Sequence, residues 1–477
     1  TALSDGLTIR YDAGSFTVAS ITSYQYSDDE MILDQDFLPL SYFTLRQART
    51  EHSVTEDLVF RSRGDKAYRW LLGAFGFYRH GTMNAPVHFK QTGIEELILK
   101  YANENDQSYR YSWGLKDGTG GDELFLGSDF RMPSAGGALY HESNYTLGRW
   151  RFTAGLRFDF EHARLRYRNH TDTRYTKTRI KDDAVYELQL EIDDRSTLKQ
   201  TFTELLPKFS VMYSFDETRN LYLTIAKGYK SGGFNTQIFS DVLQQKMMNR
   251  MGIGEVYDVQ RGVAYKPEYS WNYEIGGHFS CMEGAVRGDF ALFYIDCRNQ
   301  QLTVFPPGQT TGRMMTNAGR TRSLGAEAAV QISPWRTFDI NLAYGYTDAR
   351  FVRYETTVKN DDGDPVRISY KDNRIPYAPQ HTLSAGAAWT VPTGVKWLGD
   401  LVFQASAARA ASGGTRKIRF HNLSMRLRTL RYASNTPATR SASGAATSPT
   451  PVTTYSISNR SATSSSSADA PAHSASH

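Results

Sequence analysis

Side chains that could transfer protons lie close together near residue 160. Asp159, Glu161 and His162 are near neighbours in the sequence, and carboxyl and imidazole groups that meet in a pocket can perform general acid–base chemistry. Asp159 and Glu161, however, share one face of a segment with strand-like alternation, where polar side chains would line a watery interior. We therefore predict no catalytic site and no enzyme activity.

Two further segments have residue types that bind phosphate or cations. Lys116–Gly121 is rich in glycine but lacks the strand–loop–helix setting of a phosphate-binding loop. Asn360–Asp364 offers carboxylate oxygens to Ca²⁺, but it lacks the ligand spacing and terminal Glu of an EF-hand loop. Both segments fit exposed loops better, so the sequence predicts no metal site and no cofactor.

The chain has two cysteines, Cys281 and Cys297, too few for a disulfide framework or a zinc site. We place them on two strands joined by a short turn near Glu283. Cys281 then lies beside the turn and Cys297 ~40 Å along the second strand, at the usual rise per residue. A disulfide needs Cα atoms within about 7 Å of each other, so we predict no bond between them.

The elements that would position these residues are strands. From Trp150 to Phe160 apolar residues alternate with polar or small ones, which places every second side chain on one face. We expect Trp150, Phe152, Leu156 and Phe158 to face outward. No stretch of ~18 apolar residues exists to form a membrane-spanning helix, but a membrane barrel needs only this alternation.

The connections between strand candidates alternate strictly between short turns and long polar segments. A soluble sandwich has no reason to place every long loop at one end, whereas an outer-membrane barrel has short periplasmic turns and long external loops. The turns are predicted near 63–66, 147–149, 215–219, 281–284, 333–336 and 392–396. The long segments are roughly 28–49, 81–136, 168–198, 236–267, 300–313 and 350–379. The sequence thus predicts an all-β antiparallel transmembrane barrel fragment, with about 14 strands before the C-terminal segment.

The net charge of +5 does not indicate a nucleic-acid partner. From Ala405 onward the chain has nine Lys and Arg residues and one acid, a net charge of +8, which leaves −3 for the remainder. No compact basic face is evident outside that segment, so no nucleic acid is expected to bind.

Several motifs, in a consistent order from about residue 50 to 391, resemble the barrel of TonB-dependent outer-membrane receptors, especially those that import iron–siderophore complexes. The segments are Ala154–Asp159 (AGLRFD), Ala226–Asn235 (AKGYKSGGFN), Lys266–Glu268 with Trp271–Gly276 (KPE and WNYEIG), Asn317, Gly319, Gly325 and Glu327, and Ala378–His381 with Leu383. The resemblance implies a 22-stranded barrel in the outer membrane of a Gram-negative bacterium. Because the chain begins within a strand and without a signal peptide, we expect a plug and roughly five strands to precede residue 1.

The resemblance also implies the partners and the ligand-binding region. An intact family member would bind an iron–siderophore or other nutrient ligand, contact outer-membrane lipid, and engage the TonB complex through the plug. Family receptors capture ligands with external loops and with interior side chains near the outer end. The candidates are Tyr109, Tyr111 and Trp113 in the longest loop, and Tyr229, Lys230 and Phe234 where a strand ends. Aromatic faces and cations suit catecholate or heterocyclic ligands with negative charge, although a packing role fits these residues equally well.

The C-terminal segment differs in composition from the rest and divides the chain into residues 1–404, a partial barrel, and 405–477, an unstructured tail. Such Ser/Thr/Ala-rich composition also occurs in disordered linkers. However, the segment can also be read in another frame, in which the last base of each codon is combined with the first two bases of the following codon. In that frame Ser443–Pro451 can encode LWGRNLTDT, which resembles the family's penultimate strand. Arg419–Arg426, Thr454–Thr463 and Pro471–His477 similarly decode to TFSQPFYA, NVFYFKSIGN and PRTFGVS. We infer a frameshift beginning between Gln404 and Gly413 that replaces the last three strands.

The expected function is energy-coupled uptake of an iron–siderophore or similar complex, in a chain that does not work as written. A passive porin or structural barrel is one alternative, and a secreted β-rich adhesin or enzyme is another. A plug with a TonB box encoded upstream would favour import over a porin. A pocket with convergent acid and base groups would favour an enzyme.

Overall fold

The computed structural model describes residues 1–33, 41–113, 123–252, 262–304, 314–359, 365–394, 400–412 and 415–428. The chain divides into two units, Thr1–Thr429 and Leu430–His477, and the second lies outside the described residues. So do Lys116–Gly121 and Asn360–Asp364, the candidate phosphate and calcium segments. Within the described ranges, no helix has the length and apolar character needed to cross a bilayer.

Long antiparallel strands dominate the first unit and belong to one 17-stranded sheet. Each long strand pairs with the next one along the chain. They are β1 (Ala2–Asp12), β2 (Phe16–Leu33), β3 (Phe43–Ser62), β4 (Tyr68–Asn84), β7 (Glu123–Leu147), β8 (Trp150–Arg179), β9 (Val185–Ser214), β10 (Asn220–Lys230), β13 (Glu268–Cys281), β14 (Val286–Val304), β15 (Met314–Trp335), β16 (Phe338–Arg353), β19 (His381–Pro392), β20 (Asp400–Ser412) and β21 (Thr415–Arg428). Fourteen of them precede residue 413, which agrees with the number expected from the sequence.

Short elements lie between the long strands at one end of the sheet. The short strands are β5 (Val87–Lys90), β6 (Tyr109–Trp113), β11 (Gly233–Phe234), β12 (Ala264–Tyr265), β17 (Glu355–Lys359) and β18 (Pro365–Ser369). A helical segment runs from α1 (Gln91–Ile94) through a π-helical turn (Glu95–Leu99) into α2 (Lys100–Asn105), and α3 spans Phe239–Arg250. A short 3-10 helix, Met282–Gly284, joins β13 to β14. We call the end of the sheet that carries β5, β6 and helices α1 to α3 the outer end; the 3-10 helix lies in a short turn at the opposite end.

The two faces of the sheet differ as the alternation predicts. Trp150, Phe152, Leu156 and Phe158 are all exposed on one face, which we call the apolar face. The intervening residues of β8, such as Arg157, are partly buried on the opposite polar face. Strands with one apolar face exposed over this length suit contact with lipid hydrocarbon. The prediction that these four side chains face outward is confirmed.

The character of both faces reverses along β7, β8 and β9. Beyond Phe160 the apolar face continues in His162, Arg164 and Arg166, while the polar face continues in buried Leu165 and Tyr167. The reversal occurs at paired positions of the three strands, because His162 pairs with Ala135 on one side and with Thr201 on the other. We interpret this reversal as the limit between a hydrocarbon environment and water.

The short turns predicted near 63–66, 147–149, 215–219 and 281–284 fall where the sequence placed them, and the turn between β15 and β16 is shifted to residues 336–337. The turn predicted at 392–396 lies partly outside the described residues. The long segments differ from the expectation of loops. Most of Arg168–Leu198 belongs to strands β8 and β9, which pair without interruption up to Thr178 and Val185. The outward residues of this hairpin are polar, which gave it a loop-like composition, but the inward Leu190 and Ile192 preserve the alternation.

The expected boundary at residue 405 does not end the sheet. β20 runs across it to Ser412, and β21, from Thr415 to Arg428, pairs with β20. The unstructured tail predicted for 405–477 therefore does not describe residues 405–412 and 415–428. Their backbone groups join the ladder because the edges of β19 and β20 would otherwise leave N–H and C=O groups unpaired.

The two cysteines are free, as predicted, with Cys281 exposed and Cys297 buried. Cys281 pairs with Val286 beside the turn, while Cys297 pairs with Ser270 far along the same hairpin. This register keeps the two thiols well beyond disulfide distance.

Candidate functional site

The helices and short strands cover the polar face of the sheet at its outer end. Phe239 of α3 packs its ring 4.7 Å from that of Tyr167 and 4.9 Å from that of Phe130. Lys246 of α3 forms an ion pair with Asp194 of β9. Buried side chains from several connections complete one hydrophobic cluster, which we call the outer core. Its members include Leu45, Val87, Phe89, Ile94, Ile98, Tyr111, Leu124, Leu126, Phe130, Leu165, Tyr167, Phe239, Leu243, Met247 and Val263.

The three candidates on β6 belong to this cluster or lie against it. Tyr111 is 2% exposed and donates its hydroxyl to Asp106, 2.6 Å away. Burial and the neighbouring Asp106 both raise the pKa of Tyr111. Lys177 stands above the Tyr109 ring, 3.8 Å from its centre, and Trp113 packs against the outer core. Tyr111 thus has a packing role, while Tyr109 and Trp113 are partly accessible.

The other three candidates lie where β10 ends. The Tyr229 hydroxyl is buried and has no hydrogen-bond partner within the described ranges. Lys230 is exposed opposite Glu268, and Phe234 packs against the outer core. The structure therefore gathers Tyr109, Tyr111, Trp113 and Phe234 around one cluster and leaves Tyr229 and Lys230 at the strand end. Ligand binding by these six residues stays a prediction.

Three amide side chains, which we call the polar clamp, tie the connections at the outer end together. Asn235 donates to the carbonyl of Met315 (2.8 Å) and accepts from its N–H (2.6 Å). Asn317 exchanges the same two bonds with the backbone of Lys266, both at 2.8 Å. Gln301 donates to the carbonyl of Ser231 (2.8 Å) and to that of Lys266 (3.2 Å).

The polar clamp brings together motifs that are far apart in the sequence. Asn235 ends the AKGYKSGGFN segment, Lys266 begins KPE, and Asn317 opens the segment with Gly319. Sequence reasoning found these residues through a resemblance but did not assign them a role. The signal was their chemistry, since an Asn or Gln side chain can satisfy both the donor and the acceptor of one backbone unit.

A glycine next to the clamp allows close packing of two backbones. Gly319 lies at φ +20°, and a Cβ at this position would overlap the carbonyl oxygen of Arg353. We expect Gly319→Ala to lower the free energy of unfolding by about 1–3 kcal/mol, the usual cost of such overpacking. Urea unfolding of the frame-corrected chain in detergent measures this loss. Gly76→Ala is the matched control, because nothing lies within 4 Å of a Cβ at Gly76. Equal stability of the two variants would contradict the account.

Charged groups line the polar face nearer the turns. Arg157 bonds to both oxygens of Asp159 (2.8 Å each) and lies 5.5 Å from the centre of the Tyr140 ring. Tyr140 donates to Asp57 at 2.6 Å, and Lys208 donates to Glu142 at 3.1 Å. The first pair lies within β8 and the other two cross between strands, so together they hold a fixed pattern of charge on the face opposite to the apolar one.

The acidic and basic residues near position 160 do not form a catalytic set. Asp159 is paired with Arg157, whereas His162 contacts Thr201 (2.8 Å) and accepts from Arg164 (2.9 Å). His162 also lies on the other face of β8, away from Asp159 and Glu161. In the part of the chain that the structure describes, no group of three or more His, Cys, Asp or Glu residues could hold a metal ion.

A buried carboxyl group in α3 makes the packing of this helix sensitive to pH. Asp241 has one carboxyl oxygen buried without a hydrogen-bond partner in the described residues, and burial raises its pKa from 3.8 to about 7. The folded state therefore favours the protonated form. The stability that the protonated Asp241 carboxyl group contributes is fully present below pH ~4 and is lost as the pH rises through about 7.

We expect Asp241→Asn to strengthen docking of α3 at pH 8 by about 1–2 kcal/mol, because the amide has no charge to desolvate. The full shift in the pKa of Asp241 would correspond to a cost of ~4 kcal/mol for burying the carboxylate. The N-terminus of α3 stabilises the carboxylate and therefore offsets part of this cost. Amide exchange of residues 239–250 in the frame-corrected chain, corrected for the intrinsic pH dependence of exchange, measures docking. The variant should match the parent at pH 4. Asp65→Asn, in an exposed turn, is the control, and an equal gain for both variants would refute the prediction.

Comparison with known proteins extends the description of the fold. The family model described as "TonB dependent receptor-like, beta-barrel" matches residues 2–465. The pesticin receptor of Yersinia enterocolitica is 26% identical over 197 residues, which cover 41% of this chain and 24% of that protein.

Two solved structures align over most of the chain. The ferric yersiniabactin uptake receptor FyuA from Yersinia pestis aligns with a TM-score of 0.54 and 15% identity, over 86% of this chain and 49% of that one. The siderophore receptor PiuA from Acinetobacter baumannii aligns with a TM-score of 0.52 and 13% identity, over 89% and 62%. The chain thus spans about a quarter of the curated relative and about half to three-fifths of the two solved receptors.

Proposed function

Because the chain belongs to the TonB-dependent receptor-like β-barrel family of outer-membrane proteins, we propose that it is the barrel part of a receptor for energy-coupled uptake of an iron–siderophore or similar complex. The outer end of the sheet supports this proposal. The segments that connect the strands there are rich in aromatic residues, and they cover a polar face that is lined by charged side chains held in place by hydrogen bonds. One of the two aligned structures is a ferric yersiniabactin uptake receptor and the other is a siderophore receptor. A transporter of this family is not an enzyme.

The ligand would contact accessible aromatic and cationic groups at the outer end. Tyr109, Trp113, Tyr229, Lys230 and Phe234 are the residues that we propose for this contact, with Tyr111 supporting them from the outer core. Aromatic faces suit flat catecholate or heterocyclic groups, and Lys230 supplies a positive charge for an anionic complex. The Tyr229 hydroxyl is unpartnered among the described residues but buried, so the contribution of Tyr229 to ligand contact would come from its ring.

Uptake by intact cells tests the proposal. Cells with the gene, with its deletion, and with a frame-corrected copy would receive radiolabelled ferric catecholate, hydroxamate or citrate complexes. We expect uptake of one complex to depend on the frame-corrected gene and to stop when a protonophore removes the membrane potential. Uptake that persists without the potential would indicate a passive porin instead. No dependence on the gene for any complex would refute iron-complex import.

We further propose that residues 405–477 arise from a shifted reading frame and that the chain as written is not a working receptor. Among the described residues, β1 and β21 each have one neighbour in the sheet. In hydrocarbon, each unpaired N–H or C=O group on such an edge costs several kcal/mol. The strands that the shifted frame would supply are those that would pair with these edges.

A further inference from the structure

Basic side chains follow the apolar band directly on the outward side of β7, β8 and β9. Arg131, Arg164, Arg166 and Lys199, which we call the basic patch, lie on the same face as Phe160. The pairing of β8 with β9 has no interruption between Trp150 and Thr178, so this alternation does not change sides. The basic patch therefore faces the surroundings of the sheet and not its polar interior.

The members of the basic patch are paired with one another across strands. Arg131 lies directly opposite Arg166, and Arg164 lies directly opposite Lys199. Like charges in directly opposed positions destabilise a sheet. None of the four forms an ion pair with a carboxylate in the described part of the chain, and Arg164 donates only to His162.

A neighbouring pair shows how an anion resolves this conflict. Arg168 and Arg195 are also directly opposed, but Asp193 bridges them at 2.9 Å and 2.6 Å. The two guanidinium groups, Arg195 first, hold the pKa of Asp193 well below its ordinary value. The basic patch has the same opposed register without a bridging carboxylate in the described residues, so its charge is left for an anion from outside the chain to offset.

The depth of the basic patch identifies the source of that anion. From Trp150 to Phe160 the apolar band spans ~33 Å along the strand, or ~23 Å along the membrane normal at the usual tilt of ~45°. This matches the band of about 25 Å seen in outer-membrane barrels. Arg164 lies ~9 Å above Phe160 by the same conversion, which is close to the depth of the headgroup layer.

We propose that the basic patch binds the phosphate groups of lipid headgroups in the outer leaflet. Arginine forms paired N–H bonds to phosphate oxygens and remains charged at every physiological pH. A phosphate between Arg131 and Arg166, or between Arg164 and Lys199, would take the bridging position that Asp193 holds one level higher. The patch would then fix the height and rotation of the outer hairpin in the membrane.

Lipid titration tests the proposal on the full chain, in its written and frame-corrected forms, in neutral detergent micelles. The probes are a bisphosphorylated glycolipid and the same glycolipid without phosphates. We expect the triple variant R131Q/R166Q/K199Q to lose phosphate-dependent affinity by at least tenfold. R179Q is the control, because Arg179 pairs with Asp182 at the hairpin tip. Equal affinity of the triple variant and parent, or equal binding of both lipids by the parent, would overturn the proposal. So would displacement of the lipid by a tenfold excess of inorganic phosphate.

Stability without lipid separates this role from a structural one. Removing opposed charges should raise the urea midpoint of the triple variant in neutral micelles, because no anion is present to offset the repulsion. Addition of the phosphorylated lipid should then stabilise the parent and leave the variant unchanged. A lower midpoint for the variant in neutral micelles would show that the patch supports the fold itself, and would overturn the proposal.

Discussion

Moving the reading frame by one base near codon 410 is expected to convert an aggregating or degraded chain into one that inserts into the outer membrane. The corrected protein should show the heat-resistant migration on gels that is typical of closed barrels. The chain as written should appear only unfolded, in aggregates or as fragments. Gel migration of heated and unheated membrane fractions measures the change, which should be close to all-or-none.

The size of this effect follows from the cost of an open sheet in a membrane. A membrane barrel must satisfy all its backbone groups internally, because hydrocarbon supplies no hydrogen bonds. In the shifted frame, four stretches of the C-terminal segment decode to sequences that resemble the family's closing strands, including LWGRNLTDT from Ser443–Pro451. A frame without selection for burial would not produce such strands in the family's order.

The opposite frame provides the control for this experiment. A one-base shift in the other direction changes the C-terminal sequence as extensively but should restore neither insertion nor heat-resistant migration. Stop codons in the corrected frame before the closing strands are complete would contradict the frameshift. The discovery of an ordered domain with its own core in residues 430–477 would contradict it as well.

Strand positions were predictable because the physical signal is local. The alternation from Trp150 to Phe160 fixes which side chains share a face, whatever the rest of the chain does. The structure leaves Trp150, Leu156 and Phe158 exposed on one face. Turn positions were predictable for the same reason, since two adjacent strands of known length leave few residues between them.

The outer end was not predictable because its signals depend on environment. Arg168–Leu198 resembles a loop only when the outward side chains of a strand are expected to be apolar. Above the membrane these side chains contact water, so polar and charged residues are favoured at the outward positions. In α3, Phe239, Leu243 and Met247 are buried against strands that precede them in the sequence by many residues. Such contacts arise from tertiary packing and have no local pattern.

The candidate site shows the same division. Aromatic residues near a strand end were identifiable by type, but their type did not distinguish ligand contact from packing. Tyr111 proved to be 2% exposed, whereas Tyr109 and Trp113 keep some accessible surface. The polar clamp was visible as motif letters in the sequence, but its bonds join residues up to 80 positions apart, as with Asn235 and Met315. Only the fold shows these pairs.

Leu156→Arg is expected to lower the free energy of unfolding in lipid vesicles by ~2–4 kcal/mol, the cost of arginine near the bilayer midplane. Leu156 is 48% exposed on the apolar face and lies midway between Trp150 and Phe160. Its surroundings are therefore hydrocarbon on the outward side, where a guanidinium group has no hydrogen-bond partner. Urea unfolding of the frame-corrected chain in vesicles measures the loss.

Thr203→Arg is the matched control, because it introduces the same side chain at the upper limit of the apolar band. Thr203 pairs directly with Phe160 and is exposed on the same face. There the guanidinium reaches headgroups and water, so the cost should fall to ~0–1 kcal/mol. In detergent micelles, which adapt around a charge, the difference between the two variants should shrink. Equal losses in vesicles would show that depth along β8 and β9 does not follow the membrane normal, and that the reversal of the faces at His162 is not the membrane boundary.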